Sequence, residues 1–317
     1  MSGSKELLPW PPRPVFRSGG YAATPRPVEG VVTWNINTTC NYRCSYCTQR
    51  FLDDRKRWLR DGPAFLRAFA KLEGRWEIKI SGGEPFLHPH LSEIAAALRE
   101  LGHAVSVVTN FSASEEKLRQ FLDAAGSALR VFSASLHLEY VGTPAELESF
   151  MDKAVWMQPQ LSPHASFNVT CVATRANLSL LEYFSDLFAQ RRLRFKVQPE
   201  KQNREVIQYT DDEKEIILRL GGHNGLGQVS PSFQGRPCWA GARSFTLDDK
   251  GNAWRCYPAR RFRTQFLGNF LGEGFSLARG PSPCLYAYCN CTVPIERGMM
   301  PRDTQSEVTA YEVQNLS

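Results

Sequence analysis

The stretch Val31-Val32-Thr33-Trp34-Asn35-Ile36-Asn37-Thr38-Thr39-Cys40-Asn41-Tyr42-Arg43-Cys44-Ser45-Tyr46-Cys47 decides how this chain is read. Its first seven residues, rich in β-branched and aromatic side chains, predict a strand. Three thiols with the spacing C-x3-C-x2-C follow directly. Three thiolates so close together can wrap one face of a cubane iron–sulfur cluster and bind three of its irons, leaving the fourth open to an exogenous chelator. The competing readings are a zinc site short of one ligand, or three incidental thiols. Zinc sites usually pair C-x2-C units, which this spacing does not do.

Outward from this stretch the chain alternates strand and helix. Strands are predicted over 31–37, 76–80, 104–109, 130–136, 167–173 and 193–198, with helices over 63–73, 91–101, 144–157 and 178–190. Ser114 caps a further helix, with Glu116 and Lys117 in its first turn. Parallel strands need crossover helices, so the fold class is α/β with a parallel sheet, either barrel-like or doubly wound. After Gln198 the rhythm stops; one helix is predicted at 211–220, then a Gly-rich stretch and a Cys-rich region. Active sites of such folds lie at the C-terminal ends of the strands, where Cys40 begins its loop.

Composition agrees with a globular chain: 317 residues, 42% hydrophobic and 22% charged. The net charge of +6 is not gathered into a basic tract, which argues against a nucleic-acid partner. Residues 1–30 hold six prolines and no apolar core segment, so they are expected to be an irregular arm rather than a signal peptide. No apolar run reaches membrane-spanning length, and a cytoplasmic location without membrane contact is expected. In that compartment nine cysteines read as metal ligands or reactive thiols rather than disulfides.

A second motif, Ser81-Gly82-Gly83-Glu84-Pro85, follows the second predicted strand. With C-x3-C-x2-C one strand earlier, and aromatic Tyr46 before the last cysteine, the chain resembles the radical S-adenosylmethionine (SAM) superfamily over roughly residues 31–200. The resemblance implies a partial (β/α)6 TIM-like barrel. It also implies a [4Fe-4S] cluster on Cys40, Cys44 and Cys47, with SAM chelated to the open iron. Reductive cleavage of SAM would then release a 5′-deoxyadenosyl radical that abstracts a substrate hydrogen. Tyr46, Gly82, Gly83, Glu84 and Pro85 would bind the cofactor, as would Asn110 of Thr109-Asn110 and Ser135 at the end of the fourth strand. Many relatives carry an acid where this chain has His137. Alternation sets Ser133, Ser135 and His137 on one strand face, so Ser133 and Ser135 read equally as ligand contacts or hydrogen-bonded core serines.

Five more cysteines stand at Cys238, Cys256, Cys284, Cys289 and Cys291. Cys238, Gly251 and Cys256 resemble the opening of the SPASM/twitch extension, in which a β-hairpin carries cluster ligands. The flanks fit such a hairpin, 244–247 pairing with 252–256 around Asp248-Asp249-Lys250-Gly251. The count implies a twitch-like extension with one auxiliary [4Fe-4S] cluster. One thiol among Cys284, Cys289 and Cys291 would then be spare; a structural zinc site is the alternative. Cys171 reads as a buried free thiol.

The expected organisation is an arm at 1–30, a partial barrel at 31–200, a connecting segment at 201–237, the auxiliary-cluster module at 238–291 and a tail at 292–317. The arginines at 50, 55, 57 and 60 read as a solvated face, and His88 and His90 as capping or surface residues. Arg255, Arg260, Arg261 and Arg263 read first as surface-paired, with orientation of an anionic substrate as the alternative. The expected activity is that of an oxidoreductase or epimerase acting at a carbon centre of a sugar- or aminocyclitol-like small molecule. A flavodoxin or ferredoxin would be the external electron donor. The alternatives are a peptide-modifying enzyme and, from another class, a zinc protein associated with nucleic acid.

Overall fold

The computed structural model describes residues 28–202, 205–220, 233–286 and 299. The first half alternates strictly: β1 (Gly30–Asn37), α1 (Arg55–Phe69), β2 (Trp76–Gly82), α2 (Leu91–Glu100), β3 (Ala104–Thr109), α3 (Glu115–Ala125), β4 (Leu129–Leu136), α4 (Pro144–Met157), β5 (Ser166–Ala173), α5 (Leu181–Gln190) and β6 (Phe195–Pro199). A small ribbon, β7 (Lys201–Gln202) with β8 (Glu205–Val206), precedes α6 (Asp211–Arg219). Then come β9 (Pro237–Cys238), β10 (Ser244–Leu247), β11 (Asn252–Trp254), α7 (Tyr257–Phe262), β12 (Phe266–Asn269) and β13 (Ser282–Pro283).

β1 to β6 lie side by side in chain order and in parallel. Their two faces differ in chemistry. Trp34, Ile78, Ile80, Val105, Val107, Phe132, Ala134, Val169 and Cys171 point to the side the helices cover and are almost wholly buried. Rings from the helices and connecting turns close over them: Trp34 meets Phe65 and Phe69 at 4.7 and 5.2 Å, and Phe132 meets Phe121 at 6.2 Å. The other, inner face carries Asn35, Lys79, Ser81, Ser133, Ser135, Asn168 and Thr170. On β5 burial alternates at every residue, the pattern of a strand with one apolar and one polar face. Fully buried parallel strands are usually apolar on both sides, so this polar inner face marks where the sheet meets something other than core.

Strand boundaries agree with those read from sequence to within two residues. Ser114 caps α3, its Oγ accepting from Lys117 N at 3.4 Å. The first helix begins eight residues before Pro63, the start predicted from sequence. Trp58 is buried there against His88, 5.0 Å between ring centroids, and that packing outweighs the hydrogen bond a helical proline forfeits.

The six-stranded unit is present, but the sheet does not close into a barrel. It continues past β1 instead, in the order β12-β11-β10-β1. β10 runs parallel to β1, and β11 and β12 follow antiparallel. The predicted hairpin exists, with Gly251 N donating to Asp248 O at 3.1 Å in its turn, and it is an extension of the main sheet. Phe245, Leu247, Ala253 and Phe270 belong to the main core, whereas Phe233, Cys238, Ala240 and Met299 form a small separate one. Arg57 departs from the solvated role read for it: from α1 it reaches the Asp249 carboxylate in the hairpin turn. Among the described residues no helix is long and apolar enough to cross a membrane.

Candidate active site

The loop bearing Cys40, Cys44 and Cys47 leaves the C-terminal end of β1 and is held from three sides. At its base the buried Asp54 carboxylate accepts from Thr38 N (2.8 Å), Thr39 N (3.2 Å) and Thr39 Oγ1 (2.6 Å). From β3, Asn110 Nδ2 donates to Asn41 Oδ1 at 2.8 Å. From the turn after β4, the Tyr140 hydroxyl accepts from Arg43 N at 2.5 Å and its ring stacks on Tyr42 at 3.9 Å. Glu139 there accepts from Ser45 N at 2.9 Å.

The turn after β2 packs beneath this loop. Gly83 N donates to Asn37 O and Glu84 N to Thr39 O, both at 2.9 Å. A Cβ at Gly83 would collide with the Thr39 carbonyl oxygen, and one at Gly82 with Asn37 Oδ1, so only glycine permits this approach. Glu84 is 1% exposed, and its carboxylate accepts from Phe86 N (2.9 Å), Thr109 Oγ1 (2.7 Å) and Asn110 N (2.7 Å). Its side chain therefore ties β2 to β3 from within rather than facing a ligand directly, and burial raises its pKa against those three donors. Pro85 opens a single 3-10 turn and is buried. Asn37 Oδ1 is buried beside Gly82 without a hydrogen-bond partner, an acceptor left over where the loop and the turn meet.

His137 occupies the position after β4. Its Nδ1 lies 2.8 Å from Tyr46 Oη and 3.3 Å from Cys44 Sγ. Burial pushes His137 down to about 4, so the imidazole is neutral there and its Nδ1 shares a hydrogen bond with the Tyr46 hydroxyl. Burial pushes the Cys44 thiol up to about 11 and raises Cys40, and negative charge on the neighbouring thiols raises both further. These groups are thiols when nothing is bound; metal binding would displace their protons. Among the described residues no three His, Cys, Asp or Glu side chains converge closely enough for a single metal ion. A mononuclear zinc needs that convergence, whereas a cubane takes its three thiolates on separate irons, so the donor set fits the cluster better.

Cys238, Cys256 and Cys284 pack into one small core although they are far apart in sequence. Burial, with the Cys238 and Cys284 charges adding to it, pushes Cys256 up to about 12. Arg255 arranges this group. It is 7% exposed, and its guanidinium donates to the carbonyls of Ala240 (2.8 Å), Pro283 (3.0 Å), Ser282 (2.7 Å) and Cys238 (3.2 Å). The surface role read for it gives way to a buried one: its guanidinium turns inward onto carbonyls of β9, β13 and the Ala240 turn. Cys289 and Cys291 lie outside the described residues.

Of the residues read from sequence, Tyr46, Gly82, Gly83, Glu84, Pro85 and Asn110 meet at the cysteine loop. Ser135 sits half-buried on the inner face, in register with Thr170. Ser133 is spent on Asn168 Oδ1 (3.0 Å) and Thr170 Oγ1 (3.2 Å). Cys171 is buried, as expected. His88 is buried rather than superficial. Sequence reasoning missed Asp54, Asn37, Asn41 and Arg255. Asp54 carried one signal, its place just ahead of a helix, but it uses its carboxylate on the cysteine loop instead of capping.

A Radical SAM superfamily model matches residues 34–140, which span this loop, its clamps and the glycine turn. GTP 3′,8-cyclase of Stenotrophomonas maltophilia is 34% identical over 111 residues, covering 33% of this chain and 34% of the relative. An S-adenosylmethionine-dependent nucleotide dehydratase of a Thermoplasmatales archaeon is 35% identical over 79 residues, 25% of this chain and 28% of the relative. The matches thus span about a third of these relatives' lengths. Among solved structures, Streptococcus suis SuiB bound to S-adenosylmethionine shares the fold at a TM-score of 0.55 and 15% identity, over 79% of this chain and 64% of that one. The anSMEcpe structure with AdoMet and a peptide does so at 0.50 and 14%, over 90% and 94%. Membership of the radical SAM superfamily is supported by the family model and the relatives, and the shared fold agrees.

Proposed function

We propose that this chain abstracts a hydrogen atom from a carbon centre of a substrate seated on the polar inner face of the sheet, leading to epimerisation or dehydrogenation. The observation that carries the reading is the cysteine loop clamped from three elements over a glycine turn at the C-terminal edge of that face. Cys40, Cys44 and Cys47 would hold a [4Fe-4S] cluster. Cluster and SAM together supply, when bound, the one-electron chemistry that starts hydrogen abstraction. Tyr46, His137 and Asn110 keep the loop in place, and Gly82 and Gly83 let the turn after β2 pack against it. The unpartnered Asn37 Oδ1 suits an ammonium donor. Cys47 is exposed, which gives an external electron donor such as a flavodoxin or ferredoxin access to the loop.

Cys238, Cys256 and Cys284, with Cys289 or Cys291, would hold a second [4Fe-4S] cluster. Five cysteines for four ligand positions leave one Sγ to return a hydrogen, which favours epimerisation; with none spare, the second cluster, when bound, would supply the acceptor for the electron that completes a two-electron oxidation. A small molecule is the first reading of the substrate. A peptide is the second, favoured by the fold shared with SuiB, whose structure with precursor peptide SuiA matches at a TM-score of 0.52. The test is anaerobic reconstitution followed by SAM cleavage with a strong reductant. Wild type should cleave SAM and Cys44→Ala should fall to background; cleavage by Cys44→Ala at the wild-type rate would sink the proposal.

A further inference from the structure

The polar inner face carries positive charge that its own acids do not match. On β2, Ile78 and Ile80 are fully buried on the helix side, so Lys79 and Ser81 face inward. Beside Ser81 on β1, Asn35 is 4% exposed. A guanidinium offers only donors, so the Asn35 amide turns its oxygen to Arg260, accepting from Nη1 at 2.8 Å and Nη2 at 3.1 Å, while its nitrogen donates to Ser81 Oγ at 3.1 Å. Arg260 comes from α7, its backbone N bonded to Cys256 O at 3.0 Å and its guanidinium over the Trp254 ring at 5.8 Å. The Cys-rich region thus places one cation at the C-terminal edge of β1 and β2, beside Gly82.

The acids nearby are committed elsewhere. Glu77, two residues before Lys79 on the same face of β2, is fully buried and paired with Arg130 (3.3 Å) and Ser106 (2.7 Å). Glu84 is taken by Thr109, Asn110 and Phe86. Glu200, beyond β6, accepts from Gln202 Nε2 at 2.6 Å at the far edge of the sheet. Among the described residues neither Lys79 nor Arg260 forms an ion pair. Asn35 occupies two of the five guanidinium donors and neutralises no charge. On an open surface two such cations would mean little. On the polar inner face, with one of them held by a buried amide, they make a field that favours an anion.

We propose that the substrate carries an anionic group, a phosphate or a carboxylate, held by Lys79 and Arg260 on the inner face. This rests on the reading that the inner face is the substrate face. The two readings can fail separately, because SAM cleavage by Cys44→Ala tests the one and anion binding the other. A basic cavity elsewhere, of about 230 Å³ and lined by Arg75, Arg99, Arg130, His103 and His164, lies at the opposite ends of the strands and supplies the control.

The experiment is calorimetric titration of the reconstituted holoenzyme with inorganic phosphate and, separately, with succinate at low salt. At least one anion should bind wild type. Lys79→Gln and Arg260→Gln should each weaken it by at least about tenfold, since each removes a charged hydrogen-bond donor, while Arg99→Gln should not. Binding of phosphate alone would assign a phosphoryl group, and of succinate alone a carboxylate. The proposal is overturned if neither anion binds, or if only Arg99→Gln weakens binding. It is also overturned if the charge-conserving Lys79→Arg and Arg260→Lys lose as much as the glutamine variants, because charge would then not be the cause.

Discussion

The two cysteine regions are assembled in opposite ways. In the first, three thiols lie within one short loop, and the rest of the protein only steadies it: Asp54 from below, Asn110 from one flank, Glu139 and Tyr140 from the other. Cys47 stays exposed. In the second, Cys238, Cys256 and Cys284 come from three separated segments, and the four carbonyl contacts of Arg255 bring those segments together. A local motif needs positioning, whereas a dispersed one needs an organiser, because each long loop closed between ligands costs chain entropy that the motif itself does not recover.

The largest test of this contrast removes the local motif. A triple variant with alanine at positions 40, 44 and 47 should lose SAM cleavage entirely yet retain about four irons per chain, one cubane's worth. A colourless, zinc-containing triple variant would show instead that the second region is structural. The reverse experiment is Arg255→Met. Four carbonyls, two of them in buried contacts, would lose the guanidinium, costing about 3 kcal/mol, and the irons of the second region should go while those of the first remain. Equal iron loss from both regions would erase the distinction between them.

The smallest expected effect concerns acid. Burial pushes His88 down to about 4, beneath the glycine turn of the first region. Its folded pKa lies below the unfolded value near 6.5, so between those values the unfolded chain binds the extra proton. Stability contributed by the neutral imidazole is therefore complete above about pH 6.5 and drains away as pH falls toward 4, by at most about 3 kcal/mol in all. His88→Gln should flatten that acid limb in urea titrations across this range. An unchanged slope would mean that His88 is protonated in the fold and that its contact with Trp58 survives the charge.

Where the chain's local chemistry and its final surroundings agree, sequence sufficed. Ser114 caps its helix because a hydroxyl before Glu115 has a free helical N–H within reach whatever lies beyond. The glycine turn after β2 is legible because only glycine tolerates the Thr39 carbonyl at that distance. Legibility failed for side chains whose partners are distant in sequence. Arg57 looked like one more cation in a solvated run until β10 and β11 brought Asp249 to it. Glu84 belonged to a ligand-binding motif, yet its carboxylate is consumed inside the fold by Thr109 and Asn110.

By itself, the sequence determined the order of the six strand–helix units, the boundaries of their strands, the cysteine loop and the turn beneath it. Those depend on alternation, backbone freedom and ligand spacing, all of which act over a few residues. Only the tertiary structure decided that the hairpin would join β1 and leave the sheet open, that Arg255 would be buried among carbonyls, and that Arg260 would reach Asn35 across the inner face. Each of those outcomes turns on which edge strand offers a free row of N–H and C=O groups, and on which cation lies nearest when it is covered.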